Sequence, residues 1–195
     1  MIVSDRTSKL LRIGDLRKLI LPSTSLTTVK LYMQLIESMQ SQVAVTDIIS
    51  QLERDEGLVL TTYTDTTGNL TIGYGHNLIA NPISGIGPGS TITQAQAFNI
   101  LANDITTTYQ SLVQAAPWIA LFNPSGGQVT RRGVLLNMAF NLGVSGLLTF
   151  KNMLAAVKTH DYATAATDMA SSLWASQVGA RATRLETQMT SDLWT

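Results

Sequence analysis

Apolar residues recur with helical spacing over most of the chain, and one short stretch breaks the pattern. Near the N-terminus Leu10, Leu11, Ile13, Leu16, Leu19 and Ile20 form an apolar run that Gly14 interrupts and Pro22 stops. Ser23 to Ser25 offer N-caps for a second helix, in which Val29, Tyr32, Ile36, Met39 and Val43 are spaced 3, 4, 3 and 4. This stripe covers about two heptads, fewer than a coiled coil needs. Two readings stay open: it packs on the main domain, or it presents a docking face to another protein. A further helix is expected from Thr46 through Ile48, Ile49 and Leu52 to Glu56, where Gly57 is a fitting stop.

From Leu58 to Gly75 the character changes. Thr, Tyr, Val, Leu and Ile dominate, and Asp65-Thr66-Thr67-Gly68-Asn69 makes a turn between two strand-like runs, which predicts a small β-hairpin. Asn77 to Ser90 is rich in Gly and Pro and reads as a loop. Thr93 caps a run reaching Ala115, roughly 33 Å long at the helical rise, and Pro117 stops it. Val129 to Leu142, Thr149 to Lys158, Asp161 to Trp174 and Arg181 to Ser191 read as further helices. The order predicts an α+β, mostly helical protein: a small hairpin lobe, a long connecting helix and a helical lobe. Residues 1–47 read as a helical extension and residues 48–195 as the main domain.

Composition narrows the classes. A chain of 195 residues with 45% hydrophobic positions can build one packed domain with an appendage. The charged fraction is only 13%, and 13 basic residues balance 13 acidic ones. Residues 1–47 carry a net of +2 and residues 48–195 a net of −2, so no strong field favours nucleic acid. The absence of cysteine excludes disulfides, thiol catalysis and Cys-based metal sites. His76 and His160 make no metal-ligand pattern with each other. No segment has the ~20 apolar residues of a membrane span, and Met1 to Arg12 lack the apolar core of a signal peptide.

The chemistry concentrates in Glu56 to His76, EGLVLTTYTDTTGNLTIGYGH. A carboxylate ends a helix, a second opens a turn, and a hydroxyl follows on the returning strand. Such a fold-back can bring all three to one cleft, the set that glycosidic cleavage needs. One carboxylic acid protonates the leaving oxygen, and a group on the other face of the sugar stabilises positive charge or activates water. Taken singly, these residues are ordinary helix-end and turn carboxylates.

The spacing makes the stretch specific. Glu56, eight residues, Asp65, five residues and Thr71 resemble the signature of the T-even phage lysozyme family, glycoside hydrolase family 24. The flanks are similar too: Asp55-Glu56-Gly57-Leu58 before and Thr71-Ile72-Gly73-Tyr74-Gly75-His76 after. Similarity continues through Ile92-Thr93, through Arg131-Arg132, through Asn137 to Gly143 and through Trp174 to Arg184.

The resemblance implies a two-lobed lysozyme-like fold and a muramidase. Such an enzyme cleaves the β-1,4 bond between N-acetylmuramic acid and N-acetylglucosamine of bacterial peptidoglycan. Glu56 would be the general acid, its pKa raised by burial in the cleft. Asp65 and Thr71 would hold the attacking water for inversion by single displacement. Arg181 matches an arginine paired with the catalytic Glu; it would orient Glu56 while opposing the raised pKa. Asn141 matches an amide lining the cleft, and His76 and Asp104 match a structural ion pair. Gly73 and Gly75 would permit close backbone approach, and Trp174 and Met138 are expected in the core. No cofactor and no metal are implied.

Thr67 stands where a second acid is familiar in the family, and residues 1–47 have no counterpart in its minimal domain. Two settings fit a phage-encoded enzyme made in the host cytoplasm and acting at the periplasmic wall. One is an endolysin released through a holin-type membrane hole. The other is a lysozyme carried on a tail or virion protein through residues 1–47. The extension and the near-neutral charge favour the second. A lytic transglycosylase acting through Glu56, and a non-catalytic wall-binding module, are the competing classes.

Overall fold

The computed structural model describes residues 42–121 and 129–195. Helix α1 spans Gln42–Glu56 and leads into strands β1 (Val59–Thr64), β2 (Leu70–Gly73) and β3 (His76–Asn77). Helix α2 (Gln94–Ala115) follows, then a 3-10 turn (Pro117–Leu121). Helices α3 (Val129–Leu147), α4 (Lys151–Lys158), α5 (Tyr162–Ala170), α6 (Leu173–Val178) and α7 (Ala180–Ser191) complete the order. The protein is therefore α+β and mostly helical, as its apolar periodicity implies. The two helices expected before residue 42 lie outside the described residues.

Local chemistry explains the boundaries. Gly57 ends α1 because it takes a positive φ of 70°, which lets its N–H reach back to the Glu53 carbonyl. The Thr93 side chain accepts from the Gln96 N–H, and the Gln96 side chain accepts from the Thr93 N–H, so a capping box starts α2. Asp161 and Ser172 accept from N–H groups at the starts of α5 and α6.

Four boundaries differ from expectation. Helix α1 begins at Gln42, so it runs through the division expected at residues 47 and 48. The hairpin gains a third strand: Ile72 pairs with His76 and Thr71 with Asn77 in an antiparallel sheet of order β1-β2-β3. The stretch from Asp161 to Trp174 is two helices, because Ser172 caps a new one after α5 ends. Helix α3 continues past Leu142 to Leu147 across a break at Gly143, whose φ is 73°.

Two apolar clusters form the lobes. In the smaller one Ile48, Ile49 and Leu52 of α1 pack on Ile72, Tyr74, Leu78 and Ile92, and on Ala97, Leu101, Ile105 and Tyr109 of α2. In the larger one Leu112 and Ala116 meet Val134, Leu135, Met138 and Ala139 of α3, together with Met153, Val157, Met169, Trp174, Leu185 and Met189. Helix α2 contributes Ala97 to Tyr109 to one cluster and Leu112, in its last turn, to the other. Leu136 points from α3 into the smaller cluster, so α2 and α3 tie the lobes together. Gly133 admits Trp194 against the α3 backbone, since a Cβ there would lie 2.3 Å from the indole. Among the described residues no single helix is long and apolar enough to cross a membrane.

Candidate active site

The site grows from the junction of α1 with the sheet. Glu56 is the last residue of α1, and its side chain is 18% exposed. Arg181, at the start of α7, reaches across 125 positions of sequence to donate from Nη1 to Glu56 Oε1 at 2.8 Å. The same guanidinium donates from Nε to Asn137 Oδ1 at 2.8 Å and from Nη2 to the Asn137 carbonyl at 3.2 Å. Its plane is thereby fixed by α3, and it fixes one oxygen of Glu56 in turn.

Gly75 lies against the other oxygen. A Cβ at residue 75 would sit 3.4 Å from Glu56 Oε2, and the φ of 80° is one that side-chain-bearing residues rarely adopt. Both constraints ask for glycine where the chain turns past the carboxyl group. Just before it, Tyr74 donates from its hydroxyl to Glu53 Oε1 at 2.9 Å, binding the sheet to α1 one turn below Glu56.

Asp65 opens the turn between β1 and β2 and is held by it. Oδ1 accepts from the Thr67 N–H, the Thr67 hydroxyl and the Asn69 N–H, each at 2.8 Å. The Asn69 N–H foremost, with the Thr67 hydroxyl next, holds the Asp65 carboxyl below its usual pKa. This carboxylate stays ionised and half-exposed, and its second oxygen has only a long 3.4 Å contact with the Asn69 amide. Thr67 thus completes the Asp65 turn through its hydroxyl.

Thr71 follows on β2, 3% exposed, its hydroxyl donating to the Asn69 carbonyl at 3.2 Å. Asn69 therefore bridges the two: its N–H holds Asp65 and its carbonyl orients Thr71. Tyr63 pairs with Thr71 across the β1–β2 ladder. Burial, with the negative charges of Asp65 and Glu56 adding to it, raises the Tyr63 phenol above its usual pKa. Tyr63 thus feels both carboxylates at once. Glu56, Gly75 and Arg181 are in contact, and Asp65, Thr71 and Tyr63 are neighbours on β1, β2 and the turn between them.

Asn141 has a partner of its own, and His76 and Asp104 form the expected ion pair. Asn141 accepts from the Trp174 indole N–H at 2.8 Å, and among the described residues no hydrogen bond links it to Glu56, Asp65 or Thr71. His76, on β3, is buried. Its Nδ1 lies 2.7 Å from Asp104 Oδ2 on α2, and its Nε2 lies 2.8 Å from the Asn81 carbonyl. With an acceptor at each nitrogen, only the imidazolium satisfies both. Burial pulls the His76 pKa down, but Asp104 and then the Asn81 carbonyl outweigh it, and the net direction is up.

A pKa raised on folding means that the pair's stabilisation is complete below the unfolded histidine value. It fades as pH climbs through the folded value. Asp104→Asn is therefore expected to cost on the order of 2 kcal/mol at about pH 5 and clearly less at about pH 9. Thermal unfolding of both proteins at the two pH values checks this. A gap that widens toward alkali would refute it.

Sequence reading missed the layer behind Glu56. Asp55 has a side chain 1% exposed and meets three guanidinium groups: Arg184 at 2.6 Å, Arg54 at 3.3 Å and Arg181 at 3.6 Å. Asn137 donates to Asp55 Oδ2 at 3.1 Å and is itself fully buried. Burial raises the Asp55 pKa, but Asn137, Arg184, Arg181 and Arg54 together bring it below the usual value. The available signal was an amide inside the apolar run Val134 to Phe140, where a polar side chain must find a partner.

Among the described residues no group of three or more His, Asp and Glu is close enough to hold a metal ion. Glu56, fixed by Arg181, and Asp65, held by the turn whose Asn69 also orients Thr71, are the residues that the Glu–Asp–Thr spacing singles out. The comparisons with known proteins agree: the phage lysozyme family matches residues 53–189, and the chain belongs to that family.

It is 32% identical over 154 residues to the pre-baseplate central spike protein of Enterobacteria phage T4, an overlap that covers 69% of this chain. The overlap spans only 26% of the spike protein, about a quarter of its length. Two probable T4-type lysozymes of Dictyostelium discoideum are 28% and 27% identical over 158 residues, covering 72% of this chain and 92% of each relative.

Proposed function

We propose that this protein is a muramidase that hydrolyses the β-1,4 bond between N-acetylmuramic acid and N-acetylglucosamine of peptidoglycan, with inversion. The carrying observation is the pair of unlike carboxyl groups. Glu56 is gripped by Arg181 and passed closely by Gly75, while Asp65 is held ionised by its turn. Two titratable groups in such different surroundings divide acid and base work between them.

Glu56 gives its proton to the glycosidic oxygen as that bond breaks. Asp65 takes a proton from the water attacking the anomeric carbon on the opposite face, and the oxygen of Thr71 helps to hold that water. Arg181 keeps Glu56 aimed at the leaving oxygen.

Product analysis tests this reading. Soluble glycan fragments treated with the protein are expected to gain one water per cut, and proton NMR of the earliest product should show the inverted anomer. A product lighter by one water would make the protein a lytic transglycosylase, and a retained anomer would refute single displacement. Intact substrate throughout would leave a wall-binding module.

The resemblance to a phage spike protein supports a virion-carried setting, with residues 1–47 as the attachment and the cell wall as the target during entry. The near-zero net charge agrees, since carriage replaces electrostatic adsorption to an anionic wall. Finding the protein in purified particles would support this. Its absence there would favour the endolysin route.

A further inference from the structure

The search for chemistry outside the assigned roles leads to Tyr63. It is 36% exposed, on a strand whose other large polar groups are threonines. Its hydroxyl has no hydrogen-bond partner among the described residues, whereas the nearby Tyr74 hydroxyl donates to Glu53. A tyrosine that spends its hydroxyl on nothing is an ordinary surface residue, unless it faces something that arrives later.

The position of Tyr63 argues for an arriving group. It stands opposite Thr71 in the β1–β2 ladder, so the two side chains share a face of the sheet. Asp65 is two residues further along, and its N–H continues the ladder to the Asn69 carbonyl, so it lies on that same face. Tyr63 is thus beside both groups assigned to the water. It is also close enough to Glu56 to feel its charge. A sugar held at Asp65 and Thr71 meets Tyr63 on the same face of the sheet. The two carboxylates also discourage ionisation of the phenol, so it remains a neutral donor throughout the pH range in which the enzyme can work.

We propose that the Tyr63 hydroxyl donates a hydrogen bond to the sugar whose anomeric carbon is attacked, and so positions that ring between Glu56 and Asp65. The inference rests on the muramidase reading. Lone pairs on a ring hydroxyl, on the ring oxygen or on an N-acetyl carbonyl would accept the bond. A contact to the reacting sugar is spent on placing and distorting that ring, so its loss appears in kcat more than in KM.

The test compares the full-length wild type with Tyr63→Phe and Tyr63→Leu. It uses soluble glycan fragments as substrate and records kcat, KM and thermal unfolding for each. Tyr63→Phe is expected to lower kcat about fivefold, the effect of one neutral hydrogen bond, with KM moved less than about twofold. Its melting temperature should be unchanged, because the hydroxyl has no hydrogen-bond partner among the described residues. Tyr63→Leu, which also removes the ring, should lose at least as much.

A Tyr63→Phe protein as active as wild type would overturn the proposal. So would a fall in its melting temperature of several degrees, which would reveal a structural partner, or a loss confined to KM. If wild type itself fails to cut the glycan, the muramidase reading fails, and that outcome is distinct from active wild type with indifferent Tyr63 variants.

Discussion

Glu56→Gln is expected to lower glycan hydrolysis by about 10³-fold or more while leaving the fold in place. The substitution keeps the shape of the side chain, and its carbonyl oxygen still accepts from Arg181 Nη1. What it removes is the proton that the leaving oxygen needs. The guanidinium does not become an orphan, because Asn137 holds Nε and Nη2, and Asp55 lies 3.6 Å from Nε. The melting temperature should therefore change by only a few degrees. Clearing of permeabilised Gram-negative cells, followed side by side for wild type and variant, gives the readout. A variant that clears cells at near the wild-type rate removes Glu56 from the role of acid. If neither protein clears them, repeating the assay with residues 42–195, which keep α1 whole, separates an inactive fold from one masked by its own extension.

The sheet side of the site was legible because its signals are local. A glycine after Glu56, a turn opened by Asp65 and closed by Asn69, and a strand returning through Thr71 lie within sixteen consecutive positions. Each is a matter of backbone preference or short-range hydrogen bonding. The family spacing then assigned chemistry to residues that composition alone leaves as ordinary surface acids.

The helical side was legible only in part. Arg181 was reachable through the family pattern, but Asp55 and Asn137 were not singled out, and their contacts with Arg184 and Arg181 span 129 and 44 positions. No periodicity reports which distant guanidinium will meet a buried carboxylate. Tyr63 escaped for a different reason. In β1 it reads as one more strand-forming residue, and only the register with Thr71 turns it toward the site. Strand β3 escaped because two residues, His76 and Asn77, are too few to show an alternating pattern. The break between α5 and α6 was blurred because Ala166, Met169 and Leu173 keep a helical spacing of 3 and 4 across Ser171 and Ser172.

The buried position of Asp55 sets up the largest expected loss of stability. Asp55→Asn keeps the volume but puts a donor amide among the guanidinium groups of Arg184, Arg54 and Arg181. Arg181 keeps Glu56, and Arg54 and Arg184 reach solvent at 44% and 33% exposure, so the loss falls short of that for a fully buried network and is on the order of 2–3 kcal/mol. For a chain of this size that corresponds to a fall of roughly 4–12 °C in melting temperature. The sign with pH follows from the direction of the Asp55 shift. Its folded pKa is lowered, so its contribution is complete above the unfolded carboxyl value and is lost as pH falls through the folded one. The difference between wild type and Asp55→Asn should accordingly be full near neutrality and shrink in strong acid.

Activity should fall as well, measured well below the melting temperature of the variant. The new side chain keeps one acceptor oxygen where Asp55 has two; with that oxygen on Arg184, Asn137 loses its partner at residue 55, and the amide that fixes the Arg181 plane is then free to turn. A displacement of Arg181 reaches Glu56 directly through the 2.8 Å ion pair. Unfolding curves across pH, together with initial rates on soluble glycan, measure both effects. A variant as stable as wild type at neutral pH would show that Arg181 and Arg184 do not need the Asp55 charge.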